Sequence, residues 1–186
     1  MSGAAKVIFL DRDGVINRFP GRGLYVTRAE DLYLLPDSAE AIRLLHEAGY
    51  KICVISNQGC VSRGLITKEA LHAMTDAMFE RIKKSGGAID GVFYCYHQSA
   101  DNCDCKKPKT GLIYQALAGR QIDPAQTFFI GDSQEDIEAG SRFGLKTVLV
   151  LSGRLSREDI EQLPVKPDYV KKDLLEAARW ILSQKF

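Results

Sequence analysis

Four apolar residues followed by a pair of carboxylates limit the possible folds of this chain more than any other feature. Val7–Leu10 is a short apolar run with β-branched and aromatic members, which predicts a strand buried on both faces. Asp11 and Asp13 come directly after it, and Gly14 then lets the backbone turn. In an open parallel sheet the carboxyl ends of the strands face the crevice where ligands bind. The chain is therefore predicted to place two acidic side chains in such a crevice.

Two like charges beside a buried strand are unfavourable unless a cation or a shared proton offsets their repulsion. A divalent metal ion held by carboxylate oxygens is the simplest way to offset it. Taken alone, however, the Asp-Arg-Asp-Gly sequence is equally compatible with an ordinary polar turn after a strand. The choice depends on which residues follow the other predicted strands.

Apolar runs of strand length alternate with amphipathic segments of helical period along the rest of the chain. The predicted strands are 7–10, 52–55, 91–95, 127–130, 147–150 and a short one near Tyr169, and the main predicted helices are 39–47, about 67–85, 112–118, 133–143 and 174–183. This alternation predicts an α/β fold with a doubly wound, mostly parallel sheet. Because the chain has no long linker and no internal repeat, residues 1–186 are expected to form one domain.

The charge balance excludes some classes of partner. The 25 basic and 24 acidic residues leave a net charge of +1, so no overall charge attracts the chain to nucleic acid or to a membrane surface. No apolar run has the length of a membrane span, and the N-terminus lacks the pattern of a signal peptide. We therefore expect a cytoplasmic protein that works as a monomer on a small molecule.

Polar pairs occur at or beyond the ends of the predicted strands. They are Asp11 with Asp13, Ser56 with Asn57, Lys106 with Lys107, and Asp132 with Asp136. Each pair alone has an ordinary explanation as a turn residue, a helix cap or a solvated pair of lysines. Because parallel strands bring their carboxyl ends to one edge of the sheet, the pairs together predict a single site. Its carboxylates, hydroxyl and ammonium groups suit phosphoryl transfer from a monoester.

Each of these side chains has a predicted role in such a transfer. Asp11 attacks phosphorus and forms an aspartyl-phosphate. Asp13 protonates the leaving oxygen and then activates the water that hydrolyses the intermediate. Ser56 donates a hydrogen bond to a phosphate oxygen, and Lys107 places its ammonium group against the developing negative charge.

A Mg²⁺ ion is expected on Asp11, on Asp132 and on the backbone carbonyl of Asp13. Bound there, it offsets the repulsion between the nucleophile and the phosphate. Asp136 lies one helical turn after Asp132 and is expected to anchor the lysine or a metal-bound water.

A cysteine-rich loop after the third predicted strand indicates a second metal site. Cys95, His97, Cys103 and Cys105 supply three thiols and an imidazole, a set that suits tetrahedral Zn²⁺ in a structural role. The alternatives are free cysteines or a disulfide, but a Cys-x-Cys bridge is strained and a reducing compartment disfavours it. Bound zinc would fix the loop that directly precedes the two lysines, and so would fix where their ammonium groups point.

The segment Phe9–Val15 resembles the first motif of phosphatases of the haloacid dehalogenase superfamily, and the order of the later clusters is similar to the superfamily's other motifs. The resemblance covers nearly the whole chain. It implies a Rossmann-like fold, with Asp11 as the nucleophile and Asp13 as the general acid and base. The zinc loop is similar to that of a small group without a large cap domain, the heptose bisphosphate phosphatases and the histidinol-phosphatases related to them.

Within that group, the runs 57–64 and 107–111 look most like those of the heptose bisphosphate phosphatases. The resemblance implies hydrolysis of the 7-phosphate of D-glycero-D-manno-heptose 1,7-bisphosphate, a precursor of lipopolysaccharide or related glycans. It also implies substrate contacts for Asn57, Arg63 and Lys106. Two residues depart from the group: Lys106 stands where members often have arginine, and Ser133 stands where some have lysine. The first change removes a bidentate contact to phosphate.

Two other functions stay open at this point. A histidinol-phosphatase would use the same chemistry, but its amine-bearing substrate favours acidic groups where Arg63 and Lys106 are expected. A non-catalytic zinc module with a decayed active site is disfavoured because Asp11, Asp13 and Lys107 are all present.

Overall fold

Six parallel strands form one sheet at the centre of the fold, in a computed structural model that describes residues 4–185. The strands are β1 (Val7–Leu10), β2 (Lys51–Asn57), β3 (Gly91–Cys95), β4 (Phe128–Gly131), β5 (Lys146–Val150) and β6 (Tyr169–Lys171). Their order across the sheet is β3-β2-β1-β4-β5-β6, and every neighbouring pair is parallel. The predicted doubly wound parallel sheet is therefore confirmed. Its order reverses between β1 and β4, and crevices for ligands form at such a switch point.

Five α-helices cover both faces of this sheet. They are α1 (Ser38–Glu47), α2 (Lys68–Lys84), α3 (Gly111–Leu117), α4 (Gln134–Phe143) and α5 (Leu174–Ser183), and short 3-10 turns lie at Ala29–Asp31, Ser99–Asp101, Pro124–Gln126 and Glu158–Gln162. The apolar residues of α1, α2 and α5 pack on one face, and those of α3 and α4 pack on the other. Covering both faces is what a parallel sheet requires, because its connections must cross over it.

Side chains of β1 alternate between the two hydrophobic clusters. Ile8 and Leu10 pack with α1, α2 and α5, whereas Val7 and Phe9 pack with α3 and α4. Burial on both faces confirms the prediction for this strand and explains why it has no polar residue. It also fixes the position of the carboxylate that follows.

The strand β2 is longer than its apolar run predicts. The structure extends it to residues 51–57, because Ser56 and Asn57 continue the ladder with Tyr94 and Cys95 of β3. These two polar residues are therefore the last positions of the strand and not the start of a loop. Their backbone is held by the sheet, which gives their side chains fixed positions at its edge.

The carboxyl edge of the sheet has no large domain over it. Residues 11–37, between β1 and α1, contain one 3-10 turn as their longest helical element, and residues 58–67, between β2 and α2, contain turns only. The described part of the chain thus agrees with the expected fold without a large cap. Within residues 4–185 no helix is both long and apolar enough to cross a membrane.

Candidate active site and zinc site

The switch point of the sheet brings together side chains from four separate segments. Asp11 follows β1, Ser56 is the last residue but one of β2 and Asp132 follows β4, while Lys107 comes from the loop between β3 and α3. The register places Leu10 level with Val54 and with Ile130, so the residues that follow meet at one edge. Carboxylate oxygens of Asp11, Asp132 and Asp136 lie within 4.8 Å of one another. The predicted convergence of these carboxylates is therefore present in the structure.

The ammonium group of Lys107 lies at the centre of this edge. Its Nζ is 2.9 Å from Asp11 Oδ1 and 2.5 Å from Asp136 Oδ1, and it donates a hydrogen bond of 2.9 Å to the carbonyl oxygen of Ile55. Burial alone would lower the pKa of Lys107, but the two carboxylates outweigh it and hold the pKa above its ordinary value. The lysine is therefore a buried permanent cation beside the nucleophile candidate.

Asn57 holds the backbone from which Lys107 projects. Its Oδ1 accepts a hydrogen bond of 3.0 Å from the Lys107 backbone N–H, and its Nδ2 donates one of 3.1 Å to the Lys107 carbonyl oxygen. Both ends of the amide are thus used between β2 and the lysine loop. The substrate contact expected for Asn57 stays a prediction, whereas the positioning contact is present.

Asp136 keeps the lysine in place from the other side. Its Oδ2 accepts hydrogen bonds from the Ser133 hydroxyl at 2.6 Å and from the Ser133 backbone N–H at 3.1 Å, at the start of α4. Its Oδ1 faces Lys107. Because both oxygens are already engaged, this carboxylate suits the anchoring role better than that of a metal ligand.

The remaining two carboxylates have the character of a metal site. Burial raises the pKa of Asp11 to about 6 although the Lys107 charge lowers it, and burial together with the charges of Asp11 and Asp136 raises the pKa of Asp132 well above its ordinary value. The Asp11 charge opposes ionisation of Asp132, which is the situation that a divalent cation relieves. Carboxylate oxygens are also the donors that Mg²⁺ prefers. Asp11 and Asp132 therefore fit the expected ion.

Two glycines enclose the Asp132 carboxylate. A Cβ atom at Gly14 would lie 2.1 Å from Asp132 Oδ2, and one at Gly153 would lie 2.0 Å from it. The same oxygen accepts a hydrogen bond of 2.7 Å from the Arg154 backbone N–H. The glycine of the first motif thus does more than allow a turn, since any side chain there would displace this carboxylate.

Asp13 is held by three neighbouring side chains. Arg12 Nη2 lies 3.0 Å and 2.9 Å from its two oxygens, Asn17 Nδ2 donates to Oδ1 at 2.8 Å, and Gln58 Nε2 donates to Oδ2 at 2.9 Å. Burial alone would raise the pKa of Asp13, but the Arg12 charge and these hydrogen bonds lower it. The sequence interpretation missed these three partners. The signal available was an arginine between two carboxylates directly after a buried strand.

Ser56 shares the amide of Gln58 with Asp13. The Gln58 Nε2 group also donates to Ser56 Oγ, at 3.1 Å, and Ser56 is buried. Because the serine oxygen accepts this bond, its own O–H remains able to donate to another group. That is the requirement for holding a phosphate oxygen.

The cysteine-rich loop closes around a common centre, as expected. The three sulfurs of Cys95, Cys103 and Cys105 lie 3.3 to 3.7 Å apart, and His97 Nδ1 is 3.2 Å from Cys105 Sγ and 3.6 Å from Cys95 Sγ. Tetrahedral zinc with Zn–S bonds of about 2.3 Å would place sulfurs about 3.8 Å apart. The four ligand atoms therefore have the spacing of a closed zinc site.

The pKa values of two of these thiols are shifted in opposite directions. Burial and the neighbouring thiols raise the pKa of Cys105 to about 12. For Cys103, burial acts in the same direction, but hydrogen bonds from the Lys106 backbone and from Cys105 outweigh it and lower the pKa to about 7. Zinc binds thiolates, so its binding would release protons from this cluster.

The two other residues expected to contact substrate lie on different loops. Lys106 directly follows the zinc loop, and its Nζ is 3.5 Å from the His97 carbonyl oxygen. Arg63 is exposed, with its guanidinium 5.8 Å from the centre of the Tyr25 ring. The structure brings Lys106 next to Lys107, and the substrate roles of Lys106 and Arg63 stay predictions.

Fold and site together define a hydrolase of the haloacid dehalogenase class, and a family model described as HAD-hydrolase-like matches residues 104–177. A D-glycero-D-manno-heptose-1,7-bisphosphate 7-phosphatase of Chlorobaculum tepidum is 38% identical over 97% of this chain and 96% of its own. The chain belongs to the family of these heptose bisphosphate phosphatases. The resemblance seen in the motifs is thereby confirmed.

Solved structures give the same result. A D,D-heptose 1,7-bisphosphate phosphatase from B. bronchiseptica, complexed with magnesium and phosphate, has a TM-score of 0.88 at 31% identity and covers 97% of this chain and 99% of its own. The corresponding phosphatase from Burkholderia thailandensis has a TM-score of 0.72 at 33% identity and covers 96% of this chain and 99% of its own. The match therefore extends over nearly the full length on both sides.

Proposed function

We propose that this chain is a Mg²⁺-dependent phosphatase that removes the 7-phosphate of D-glycero-D-manno-heptose 1,7-bisphosphate through an aspartyl-phosphate on Asp11. The observation that carries the proposal is the buried Lys107 ammonium 2.9 Å from the Asp11 carboxylate, with Asp132 beside it. A nucleophilic oxygen, a fixed cation and a second carboxylate for a metal ion are the parts that phosphoryl transfer requires.

The first half of the reaction transfers the phosphoryl group to Asp11. Its free oxygen attacks phosphorus while the Ser56 hydroxyl and the Lys107 ammonium hold the phosphate oxygens. Asp13, when protonated, gives its proton to the leaving sugar oxygen, so that the sugar departs as an alcohol. Bound to Asp11, to Asp132 and to the backbone carbonyl of Asp13, Mg²⁺ would neutralise charge between the nucleophile and the phosphate.

The second half returns the protein to its starting state. Asp13, now a carboxylate, removes a proton from a water molecule as that water attacks the phosphorus of the aspartyl-phosphate. The bond between phosphorus and the Asp11 oxygen breaks, and inorganic phosphate leaves. Asp136 has no direct part in these steps, and its contact with Lys107 keeps the ammonium group in position.

A bisphosphate substrate is supported by the charges around this edge and by the relatives. A cavity of about 300 Å³ is lined by Lys106, Lys109 and Arg142 with one acidic residue, Glu135, and a second of about 470 Å³ is lined by Arg22 and Arg154 together with Glu135 and Glu138. The excess of positive groups in the first cavity suits a second phosphate better than the amine of histidinol phosphate. The relative from Chlorobaculum tepidum is named for the heptose bisphosphate, and several others are named for its β anomer.

The zinc site has a structural part in this proposal. Zn²⁺ held by Cys95, His97, Cys103 and Cys105 would keep the loop before Lys106 and Lys107 rigid. We further propose a cytoplasmic, monomeric protein in which the whole chain works as one domain.

A substrate comparison tests the proposed function. The purified protein is given the α and β anomers of heptose 1,7-bisphosphate, heptose 7-phosphate, and histidinol phosphate, with and without added Mg²⁺. We expect kcat/KM to be highest for a bisphosphate, and we expect the activity to require Mg²⁺. In ³¹P NMR spectra the signal of the 7-phosphate should be lost. A preference for histidinol phosphate, or release of the 1-phosphate, would overturn the substrate assignment.

A further inference from the structure

Arg12 is the largest side chain that is completely buried in the described part of the chain. Its guanidinium lies 5.8 Å from the centre of the Tyr94 ring, and the Tyr94 hydroxyl is 2.7 Å from the Thr75 hydroxyl. Removing a charged guanidinium from water is unfavourable, and only well-placed partners offset that cost. An apolar side chain in the same place would avoid it. The arginine therefore needs an explanation beyond packing.

The contacts of Arg12 are directed at one carboxylate. Its Nη2 approaches both oxygens of Asp13, at 3.0 and 2.9 Å, and its Nε lies 3.2 Å from Oδ1. A planar guanidinium with several bonds to one carboxylate fixes the plane of that carboxylate, as a lysine ammonium could not. The guanidinium is enclosed by protein on all sides, because the side chain has no access to solvent.

Gln58 extends this arrangement to the phosphate-binding side. The same Nε2 group donates to Asp13 Oδ2 and to Ser56 Oγ. The orientation of the Asp13 carboxyl group is therefore tied to the hydroxyl expected to hold the phosphate.

We propose that Arg12 is a positioning residue for proton transfer, which holds the Asp13 carboxyl group in one orientation and, through Gln58, in register with Ser56. The inference rests on the proposed function, in which Asp13 protonates the leaving oxygen and later activates water. Arg12 does not touch substrate in this scheme. Arg12 increases the fraction of time that the Asp13 carboxyl group spends in an orientation suited to proton transfer.

Substrates with different leaving groups distinguish a loss of Asp13 positioning from general damage to the site. p-Nitrophenolate departs without a proton, so formation of the aspartyl-phosphate from p-nitrophenyl phosphate does not need Asp13 as an acid. Hydrolysis of the aspartyl-phosphate does need it as a base. In Arg12→Met, rapid mixing should show a burst of p-nitrophenolate at close to the wild-type rate, followed by a steady state about 10- to 100-fold slower. With a sugar phosphate the burst should be absent.

Matched variants distinguish orientation from charge and from folding. Arg12→Lys keeps the positive charge but loses the planar guanidinium that contacts both oxygens of Asp13. It should show the same combination of a near-normal burst rate and a slowed steady state. Arg43→Met removes a guanidinium that pairs with Glu40 and Glu47 on α1, outside the site, and both phases should stay within about twofold of wild type. If Arg12→Met does not fold, Asn17→Leu, which removes one donor to Asp13 and leaves the donor to Ser56 in place, should give the same pattern more weakly.

Asp13→Asn shows which of the two proposals has failed. If this variant hydrolyses the aspartyl-phosphate at the wild-type rate, Asp13 is not the base and the proposed mechanism falls. If Asp13→Asn shows the burst and the slow steady state while Arg12→Met and Arg12→Lys do not, the inference about Arg12 alone is wrong. A burst in Arg12→Met that is slowed as much as the steady state would also overturn it, because the defect would then be general.

Discussion

Replacing Lys107 by methionine should be among the most disruptive single changes in this protein. The side chain keeps its length, but its ammonium group is lost from between Asp11 and Asp136, which both lie within 2.9 Å of Nζ. Removing one partner of a buried ion pair leaves uncompensated buried charge and costs about 3–5 kcal/mol. The activity should fall by about 10²–10³ because a fixed cation no longer faces the phosphate.

Urea unfolding in buffer without added Mg²⁺ measures the first effect. The chain's only tryptophan, Trp180, packs against Phe128 and Tyr169, so its fluorescence reports unfolding. With an m-value of about 2 kcal/mol/M, the midpoint should fall by about 1.5–2.5 M. The matched control is Lys109→Met, which removes a partly exposed ammonium and should change the stability by less than about 0.5 kcal/mol.

The loss of stability in Lys107→Met should depend on pH, in a direction that follows from the pKa of Asp11. In the folded protein the pKa of Asp11 is raised to about 6. The stability that this shift contributes is therefore complete below the ordinary pKa of an aspartate, and it is lost as the pH rises through about 6. Without Lys107, which lowers that pKa, the loss should continue to higher pH. The stability difference between wild type and Lys107→Met should therefore be larger at pH 8 than at pH 6. A difference below about 1 kcal/mol at both pH values would refute the reasoning.

Other substitutions test separate parts of the site. Asp11→Asn should fold normally and show no turnover, checked by circular dichroism and phosphate release, since an amide is a poor nucleophile. Asp13→Ala should lower kcat by about 10²–10⁴, and a near-normal kcat would show that it has another role. Cys103→Ser should reduce the zinc content, about one per chain in wild type by elemental analysis, and should lower kcat/KM. Gly153→Ala should weaken Mg²⁺ activation by displacing Asp132, and an unchanged Mg²⁺ titration would contradict the geometry.

The positions of the main elements could be predicted from the sequence because each has a strong local signal. The apolar run Val7–Leu10 predicts its strand with the same bounds, and the helix 174–183 is also placed as observed. The end of β2 could not be predicted in this way, because Ser56 and Asn57 are polar and are in the strand only through pairing with β3. That pairing is between residues far apart in the sequence.

The same distinction applies to the site. Apart from Lys107, which comes from the loop between β3 and α3, the residues brought to the sheet edge follow from their place at strand ends, which is a local property of the sequence. The contacts of Arg12 and Gln58 with Asp13 depend on how the chain folds back after Gly14. Neither the periodicity of the sequence nor the spacing of its motifs predicts such a contact. The enclosure of Asp132 by Gly153 is of the same kind, since it joins two loops that the sheet brings together.

Trapping the covalent intermediate tests the central claim most directly. A single turnover with heptose 1,7-bisphosphate and Mg²⁺ is stopped with acid, and the protein is reduced with borohydride, which converts an aspartyl-phosphate to homoserine. Mass spectrometry of the peptide that contains Asp11 should then show the homoserine at position 11, and Asp11→Asn should show none. An unmodified Asp11 in a protein that turns over the substrate, or homoserine at Asp13, Asp132 or Asp136 instead, would contradict the account.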